Sequence, residues 1–311
     1  MGRILNKLKE KDNTGFSTFS NKEGTRLINK DGSFNIVKKG APLWEKHSIY
    51  RYLILTSWTK FFIFIVLFYF LINIIFASLY HIIGVEHLNG ATGNSFKESM
   101  EQAFFFSSQT FTTVGYGHIS PKGFWINVVA SIEAFSGVLI IAVFTGLLYG
   151  RFSRPVMKLW HSYNAVIAPH KDGSALMFRV ANPKNSILTD VEVEIRLSML
   201  KKEGDEIKRK YYQMDTQISK INFLTLSWTV VHPIDEHSPL YQITEEEWNK
   251  SDAEIIILFR AFEDTFSQTV NSWLSYAHSD VIWNAKFESI ISYEDGQVSV
   301  DLTELNKYKK L

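Results

Sequence analysis

The sequence predicts a membrane α-helical part followed by a cytoplasmic β-rich part. Two observations indicate this fold class. Apolar residues concentrate in two long blocks, 61–80 and 124–149, whose only charged residue is Glu133. Beyond Pro155, apolar and polar residues alternate, as in the run Val-Glu-Val-Glu-Ile-Arg-Leu at 191–197, which is the pattern of a half-buried strand. We therefore predict a two-helix transmembrane domain at 58–153 and a β-sandwich domain at 154–311.

The N-terminal part divides at about residue 40. Residues 1–40 are polar and hold no apolar core of signal-peptide length, so we interpret them as a largely disordered segment with a candidate short strand at 34–37. Residues 41–57 favour an amphipathic helix on the inner membrane face, with an ordinary soluble helix as the alternative. Its apolar residues are Trp44, Ile49, Tyr50, Leu53 and Ile54, interleaved with Glu45, Lys46, His47 and Arg51.

Each apolar block is long enough to cross a membrane, since a hydrocarbon core of roughly 30 Å takes about 20 apolar residues. We predict an outer helix at 59–83 and an inner helix at 124–151. Asn73 lies within the first span, where a polar side chain is expected to bond to a neighbouring helix.

Positive charge indicates the orientation of the spans. The segment between them carries only Lys97 and Lys122, whereas their other ends are flanked by Lys38, Lys39, Lys46, Arg51 and Lys60 and by Arg151, Arg154 and Lys158. The positive-inside tendency then places both termini in the cytoplasm and residues 84–123 outside, in a multi-pass protein of the plasma membrane. The chain has no cysteine, which excludes disulfides, thiolate metal sites and cysteine nucleophiles.

The segment between the spans carries the candidate functional site. Ser95 is a suitable N-cap, and residues 96–111 predict a short helix that re-enters the membrane and leads into Thr-Val-Gly-Tyr-Gly at 113–117. Taken alone, this run suits a tight loop between strands. Between two spans, its carbonyl oxygens suit the replacement of a potassium ion's water shell, and glycine adopts the required backbone angles. We expect Glu133 to pack near this filter without binding the ion.

A four-residue repeat marks one face of the second span. Gly137, Ile141, Thr145 and Tyr149 share this face, and if the helices surround a pore they line it, with Tyr149 as the narrowest ring. Gly137 allows two interpretations, a point of bending or a close contact with a neighbouring helix, and close contact is the commoner use of glycine in membrane helices.

The C-terminal part alternates between strand patterns and turn signals, which predicts a β-sandwich with few helices. Thr244 and Glu247 form a capping box for one short helix. The strand candidates are residues 175–181, 191–197, 206–213, 221–231, 254–262, 266–272, 286–293 and 297–301.

No catalytic or cofactor motif stands out in this part. His232, Asp235, His237 and Ser238 are close in sequence, but a triad draws its members from separate elements, so we favour a turn with structural hydrogen bonds. The histidines lack metal-motif spacing and there is no G-x-G-x-x-G, so we predict neither an enzyme nor a cofactor. A formal net charge of +1 gives no indication of nucleic-acid binding.

Several passages in one order carry a family resemblance. From about Leu27 to the C-terminus, the chain resembles the prokaryotic inward-rectifier (KirBac-like) potassium channels. The passages are Phe-Phe-Phe-Ser at 104–107 before the filter, Tyr-Gly-Arg-Phe-Ser-Arg-Pro at 149–155, Leu-Met-Phe-Arg-Val-Ala-Asn at 176–182, Leu-Ser-Trp-Thr-Val-Val-His-Pro-Ile-Asp at 226–235 and Ser-Pro-Leu-Tyr at 238–241.

The resemblance implies a homotetramer around one pore. Each subunit would contribute an interfacial slide helix, an outer helix, a pore helix, a filter, an inner helix and an immunoglobulin-like cytoplasmic domain. By matching position, K⁺ would bind to oxygens of Thr113, Val114, Gly115 and Tyr116, in a filter that ends at Gly117. Tyr149 would lie where the inner helices cross. Anionic lipid headgroups could meet Lys46, Arg51, Arg151, Arg154 and Lys158, which the charge pattern also allows.

Two departures from the family bear on regulation. Ile141 occupies a position that is acidic in strong rectifiers, which argues against block by polyamines or magnesium there. The chain after Pro155 lacks the dense basic cluster of animal relatives, so the sign of lipid regulation stays open.

The predicted function is passive, selective potassium conduction, gated where the inner helices meet the cytoplasmic domain and coupled through the slide helix. Two other classes share the topology. A two-span receptor with a ligand-binding sandwich has no use for a re-entrant filter. A membrane-bound enzyme needs a convergent polar site, which the C-terminal part does not offer.

Overall fold

The chain forms two compact units in the computed structural model, which describes residues 26–37, 39–40, 42, 48–92, 95–155, 157–203, 206–294 and 296–311. The helical unit comprises residues 39–154. The β unit comprises residues 155–311 together with the N-terminal residues 26–37.

The described residues of the helical unit form four α-helices, α1 at Ile49–Leu55, α2 at Trp58–Ile83, α3 at Phe96–Phe111 and α4 at Phe124–Phe152. A 3-10 turn at Val85–His87 follows α2, and β1 (Leu88–Asn89) pairs with β2 (Ser120–Pro121). Only 17% and 11% of the most apolar stretches of α2 and α4 are buried, although their mean hydropathies are 2.7 and 2.2. Such exposed apolar surface distinguishes these helices from the core helices of a soluble protein.

Within the predicted 41–57, the described part of the chain contains a helix at Ile49–Leu55. Among the described residues it begins at Ile49, because the Ser48 hydroxyl caps it by accepting from the Arg51 N–H at 3.3 Å. It ends at Leu55, since Thr56 returns to an extended conformation. Residues 43–47, including Lys46, lie outside the described residues.

In the described part of the β unit, the two largest sheets have five strands each. The first has the order β11–β10–β6–β7, with β8 also paired to β6, and consists of β6 (Leu188–Glu203), β7 (Glu206–Met214), β8 (Lys220–Leu224), β10 (Glu254–Glu263) and β11 (Gln268–Ala277). The second has the order β12–β4–β5–β3, with β9 also paired to β5, and consists of β3 (Trp160–His161), β4 (Ala165–His170), β5 (Gly173–Ala181), β9 (Ser227–Ile234) and β12 (Val281–Trp283). Only the β4–β12 pair is parallel among these described strands.

Short elements complete this unit. They are α5 (Glu245–Lys250), the antiparallel pairs β13 (Ala285–Phe287) with β16 (Tyr308–Lys310) and β14 (Ile291–Glu294) with β15 (Gln297–Val300), and 3-10 turns at His278–Asp280 and Leu302–Glu304. Thr244 and Glu247 form the predicted capping box at the start of α5.

Apolar side chains from both sheets form one core. Phe178 of β5 packs near Phe259 of β10 and Tyr276 of β11, with ring centroids 6.4 and 5.6 Å from that of Phe178. The alternating run at 191–197 buries its apolar residues here and leaves its charged residues less buried. The predicted β-sandwich is therefore confirmed.

Two predicted strands are wrong. The stretch 286–293 is interrupted at 288–290 and covers parts of β13 and β14, which pair with different strands. The stretch 221–231 is broken by a bend at Thr225 and Leu226, and its halves belong to different sheets, β8 to the first and β9 to the second. Its apolar pattern continues through the bend, because both halves contribute to the same core.

Residues 26–37 are ordered on the β unit, which corrects the disorder predicted from their composition. Leu27 and Ile28 are buried in a small apolar cluster, and their backbone N–H groups donate to the Glu254 carboxylate at 2.8 and 3.1 Å. Burial raises the pKa of Glu254, although these two hydrogen bonds act to lower it. Residues 1–25 lie outside the described residues.

Asp280 anchors the same segment by charge. Its carboxylate lies 3.0 Å from Arg26 Nη1 and 2.7 Å from Lys30 Nζ. Burial acts to raise the pKa of Asp280, but the Lys30 hydrogen bond, the Ala277 N–H and the two positive charges together lower it. A polar composition therefore conceals an ordered segment whose partners lie about 250 residues away in sequence.

The histidine cluster of the β unit is structural. His232 Nδ1 donates to the Asp215 carbonyl oxygen at 2.5 Å, and its Nε2 lies 2.7 Å from Ser238 Oγ. Both His232 and Ser238 are buried, and burial lowers the pKa of His232. The neutral ring therefore accepts from the serine hydroxyl and stabilises a turn, as predicted.

Candidate functional site

The helix before the candidate filter is held between the two long helices. Ala103 and Phe106 of α3 are buried in one cluster with Phe76 and Tyr80 of α2 and Ile126 of α4. The Ser95 hydroxyl accepts from the Glu98 N–H at 3.3 Å and caps the start of α3. Because α3 is packed along its length, its last residue delivers the chain to a defined position.

In residues 113–117, the first backbone amides donate hydrogen bonds, whereas the carbonyl oxygens accept none among the described residues. Thr113 N–H donates to the Thr110 carbonyl at 3.1 Å, and the N–H groups of Val114 and Gly115 donate to the Gln109 carbonyl at 2.9 and 3.3 Å. Within the described part of the chain, no carbonyl oxygen from Thr113 to Gly117 accepts a hydrogen bond. The segment therefore presents acceptors without donors, and a dehydrated cation suits such a set.

Left-handed conformations alternate along this segment. Thr113, Gly115 and Gly117 have φ values of 62°, 53° and 82°, whereas Val114 and Tyr116 between them do not have positive φ. Alternation of this kind turns successive carbonyls toward one side, whereas a regular strand turns them to opposite sides. A Cβ added to Gly115 or Gly117 meets nothing within 4 Å of its own chain, so glycine serves the backbone angle there rather than space.

Gly137 lies in close contact with the end of α3, which corrects its predicted place along a pore. It is buried, and an added Cβ would sit 2.0 Å from the Phe111 carbonyl oxygen. The other members of the stripe, Ile141, Thr145 and Tyr149, are exposed, and Tyr149 is 74% exposed. A spacing of four residues drifts by about 40° per step, so Gly137 is rotated by roughly 120° from Tyr149 around the helix.

A buried polar network joins α2, α3 and α4 beside the filter. Asn73 Oδ1 lies 3.0 Å from Ser107 Oγ, so the expected bond from Asn73 to a neighbouring helix is confirmed. Glu133 interacts with the Tyr80 hydroxyl at 2.5 Å and with the Ser107 hydroxyl. All four side chains are fully buried within the chain.

Arg151 is engaged at the junction of α1, α2 and α4. Its guanidinium donates to the carbonyl oxygens of Leu53, Ile54 and Thr56 at the end of α1. It also lies 4.5 Å from the ring centroids of Trp58 and Phe61. These contacts occupy both terminal nitrogens of the guanidinium, and Nε is buried, so Arg151 is placed as a link between helices.

The other basic residues predicted to contact lipid headgroups differ from Arg151 in their exposure and contacts. Arg51, Arg154 and Lys158 are exposed, and among the described residues none of them forms an ion pair. Lys46 lies outside the described residues. Arg51 and Arg154 in the helical unit and Lys158 in the β unit therefore stay candidates for contact with anionic headgroups.

Sequence reasoning missed the residues that support the filter. Gln109 holds two filter amides through its backbone carbonyl, and Ser107 and Tyr80 hold Glu133. Hydroxyl residues near an intramembrane carboxylate are a usable signal, but which of many serines and tyrosines meets Glu133 is decided by helix packing.

Comparisons with known proteins agree with this geometry. Two family models match the chain, the inward rectifier potassium channel C-terminal domain over residues 159–311 and an ion channel domain over residues 62–154. The inward rectifier potassium channel Kirbac3.1 of Paramagnetospirillum magnetotacticum is 33% identical over 288 residues, which covers 91% of this chain and 95% of that protein. The chain belongs to the inward rectifier potassium channel family.

Animal members of the family match over a smaller share of their length. The ATP-sensitive inward rectifier potassium channel 12 of Gallus gallus is 30% identical over 66% of this chain and 50% of its own. The Homo sapiens protein of the same name is 28% identical over 75% of this chain and 58% of its own. The chain thus spans 50% and 58% of the length of these two animal relatives.

Membership of the inward rectifier family confirms the class of protein. The family comprises ion channels rather than enzymes, and potassium is its transported ion. The two long helices α2 and α4 are therefore membrane spans of a channel domain, and the β unit is the family's cytoplasmic β-sandwich.

Proposed function

We propose that this inward rectifier conducts potassium passively and selectively through a homotetrameric pore. The observation that carries the proposal is the filter backbone, in which left-handed residues alternate and the carbonyls from Thr113 to Gly117 lack donors while the first amides bond back to α3. In this pore, K⁺ binds oxygens of Thr113, Val114, Gly115 and Tyr116 in place of water.

Exposure of the filter within one chain supports the tetramer. Residues 113–117 are exposed, and Tyr116 retains 77% of its accessible surface. Irregular backbone at membrane depth needs protein or a water-filled path around it. Four copies of the segment around one axis supply both, with Ile141, Thr145 and Tyr149 facing the ion path below the filter.

In the proposed orientation, the channel lies in the plasma membrane and both termini lie in the cytoplasm. It is supported by the distribution of lysine and arginine, which flank the ends of α2 and α4 remote from the filter. The filter then lies toward the outside.

The proposed gate is the ring of Tyr149 side chains, controlled by the cytoplasmic domain and by anionic lipids. Arg151 lies two positions after Tyr149 and bonds to the end of α1, so a displacement of α1 acts directly on the lower end of α4. Arg51, Arg154 and Lys158 are the headgroup contacts, because their charges are exposed and unpaired within the described chain.

Flux through reconstituted liposomes tests the proposal. Protein reconstituted into vesicles with and without anionic lipid is assayed for uptake of rubidium, as a potassium analogue, and of sodium. We expect uptake of rubidium but little uptake of sodium, and an assembly in mild detergent whose protein mass is about four times that of one chain. Equal sodium and rubidium uptake by a folded tetramer would contradict selectivity, and a stable monomer would contradict the pore.

A further inference from the structure

A carboxyl group in the second span has no ionic partner. Glu133 of α4 is fully buried, and its contacts are the hydroxyl groups of Tyr80 and Ser107. Among the described residues, no Lys, Arg or His side chain bonds to Glu133, and the nearby His81 is engaged with Ser99 at 2.8 Å. An ionised carboxylate without a cation is costly in such a place.

The number of available hydrogens decides the charge of this group. Asn73 Nδ2 donates to the Tyr69 carbonyl at 2.7 Å, which directs Asn73 Oδ1 toward Ser107 Oγ at 3.0 Å. Tyr80 donates its one hydroxyl hydrogen to Glu133 Oε2. Ser107 also has one hydroxyl hydrogen, but two acceptors lie beside it, Asn73 Oδ1 and Glu133 Oε1.

Only one protonation state satisfies every member of the network. If Glu133 is ionised, either its Oε1 or the Asn73 Oδ1 lacks a hydrogen of its own. If Oε1 carries a proton, Glu133 donates to Ser107, Ser107 donates to Asn73, and Tyr80 donates to Glu133. Buried networks are stabilising when every group is satisfied and costly when one is not.

We propose that Glu133 is a neutral carboxylic acid whose proton completes this hydrogen-bond network. We also propose that the network positions α3 and therefore the filter. Ser107 lies two residues before Gln109, whose carbonyl holds the amides of Val114 and Gly115. Fixing Ser107 fixes the rotation of α3 that aims the Gln109 carbonyl. Glu133 is thus a positioning residue that touches no ion. The effect on the filter rests on the proposed potassium selectivity, whereas the proton does not.

Substitutions separate the neutral from the ionised form. Glu133→Gln keeps the shape and supplies an amide group that donates to Ser107 and a carbonyl oxygen that accepts from Tyr80, so it resembles the neutral acid and not the carboxylate. We expect this variant to keep the rubidium-to-sodium uptake ratio and the thermal midpoint of the wild type. Glu133→Leu and Ser107→Ala remove members of the network and should lower the ratio on the order of tenfold.

Ser131→Ala is the matched control, because the Ser131 hydroxyl on the same helix bonds only to the Asn127 carbonyl at 2.8 Å and is exposed. This control should behave as the wild type. Loss of selectivity in Glu133→Gln equal to that in Glu133→Leu would overturn the neutral acid, and an unchanged ratio in folded Ser107→Ala would overturn the positioning role.

Infrared spectroscopy detects the proton on Glu133 and does not depend on a measurement of ion uptake. The difference spectrum of wild type minus Glu133→Gln at neutral pH should contain the carbonyl band of a protonated carboxylic acid. If the difference spectrum contains carboxylate bands instead, Glu133 is ionised in the wild type and the proposal is overturned. This result does not depend on whether Glu133→Leu folds. A wild type that takes up sodium and rubidium equally would refute the proposed function, and the infrared result would still decide the proton.

Discussion

Replacing Gly137 with alanine tests how α4 sets the base of the filter. The new Cβ would lie 2.0 Å from the Phe111 carbonyl oxygen and 2.9 Å from its carbonyl carbon. Ordinary van der Waals contact starts at 3.4 Å, so α4 and the end of α3 must separate by about 1.4 Å. Phe111 is the last residue of α3, and the filter follows immediately.

Two opposing contributions set the change in the free energy of unfolding of Gly137→Ala. Overpacking in a close-packed interface costs about 1–3 kcal/mol. Alanine in place of glycine inside a helix returns roughly 0.5–1 kcal/mol. We therefore expect the free energy of unfolding to fall by up to about 2.5 kcal/mol. The larger effect is on selectivity, because a constellation of binding groups tolerates displacements of only about 0.5 Å.

The assay is the rubidium-to-sodium uptake ratio together with thermal unfolding in detergent. Gly146→Ala is the matched control on the same helix, since a Cβ there meets nothing within 4 Å of its own chain. The control should keep its selectivity and be as stable as the wild type or more stable. A Gly137→Ala protein that is as selective and as stable as the control would refute the close-contact reasoning. Intact selectivity with altered opening would instead restore the bending role of Gly137.

Three further predictions follow from other contacts. Tyr149→Ala should raise rubidium uptake several-fold, because it removes the ring proposed as the constriction. Arg151→Lys should lower the free energy of unfolding by about 1–3 kcal/mol and speed hydrogen exchange in α1, since lysine cannot donate in a fork to three carbonyls. Asp280 has a lowered pKa in the folded protein, so its contribution is complete above about pH 4 and is lost as the pH falls further, which releases residues 26–37 and changes Trp273 fluorescence.

Each of these three has an outcome that contradicts it. Unchanged uptake by a folded Tyr149→Ala tetramer in anionic lipid would place the constriction elsewhere. Equal exchange rates in Arg151→Lys and in its control Arg154→Lys would remove the link between α1 and α4. An Asp280→Asn protein whose fluorescence keeps the same acid transition as the wild type would show that another group holds the N-terminal segment.

The long-range order of the chain could be predicted where a local pattern carries it. The two spans follow from uninterrupted apolar blocks, α5 follows from a capping box, and most sandwich strands follow from alternation. Strand signals failed where alternation continues across a change of sheet, as at Thr225 and Leu226. They also failed for residues 26–37, whose order depends on carboxylates elsewhere in the chain.

By itself, the sequence determined the class of channel and the order of its helices and predicted the residues of the proposed filter, because periodicity and the Thr-Val-Gly-Tyr-Gly run are local properties. Tertiary structure alone decided which groups support that filter. Gln109 meets the filter amides, Gly137 meets Phe111, and Glu133 meets Tyr80 and Ser107 through contacts that no spacing encodes. Such partners are set by how helices rotate and pack against one another, and a rotation of one residue, about 100°, would exchange every one of them.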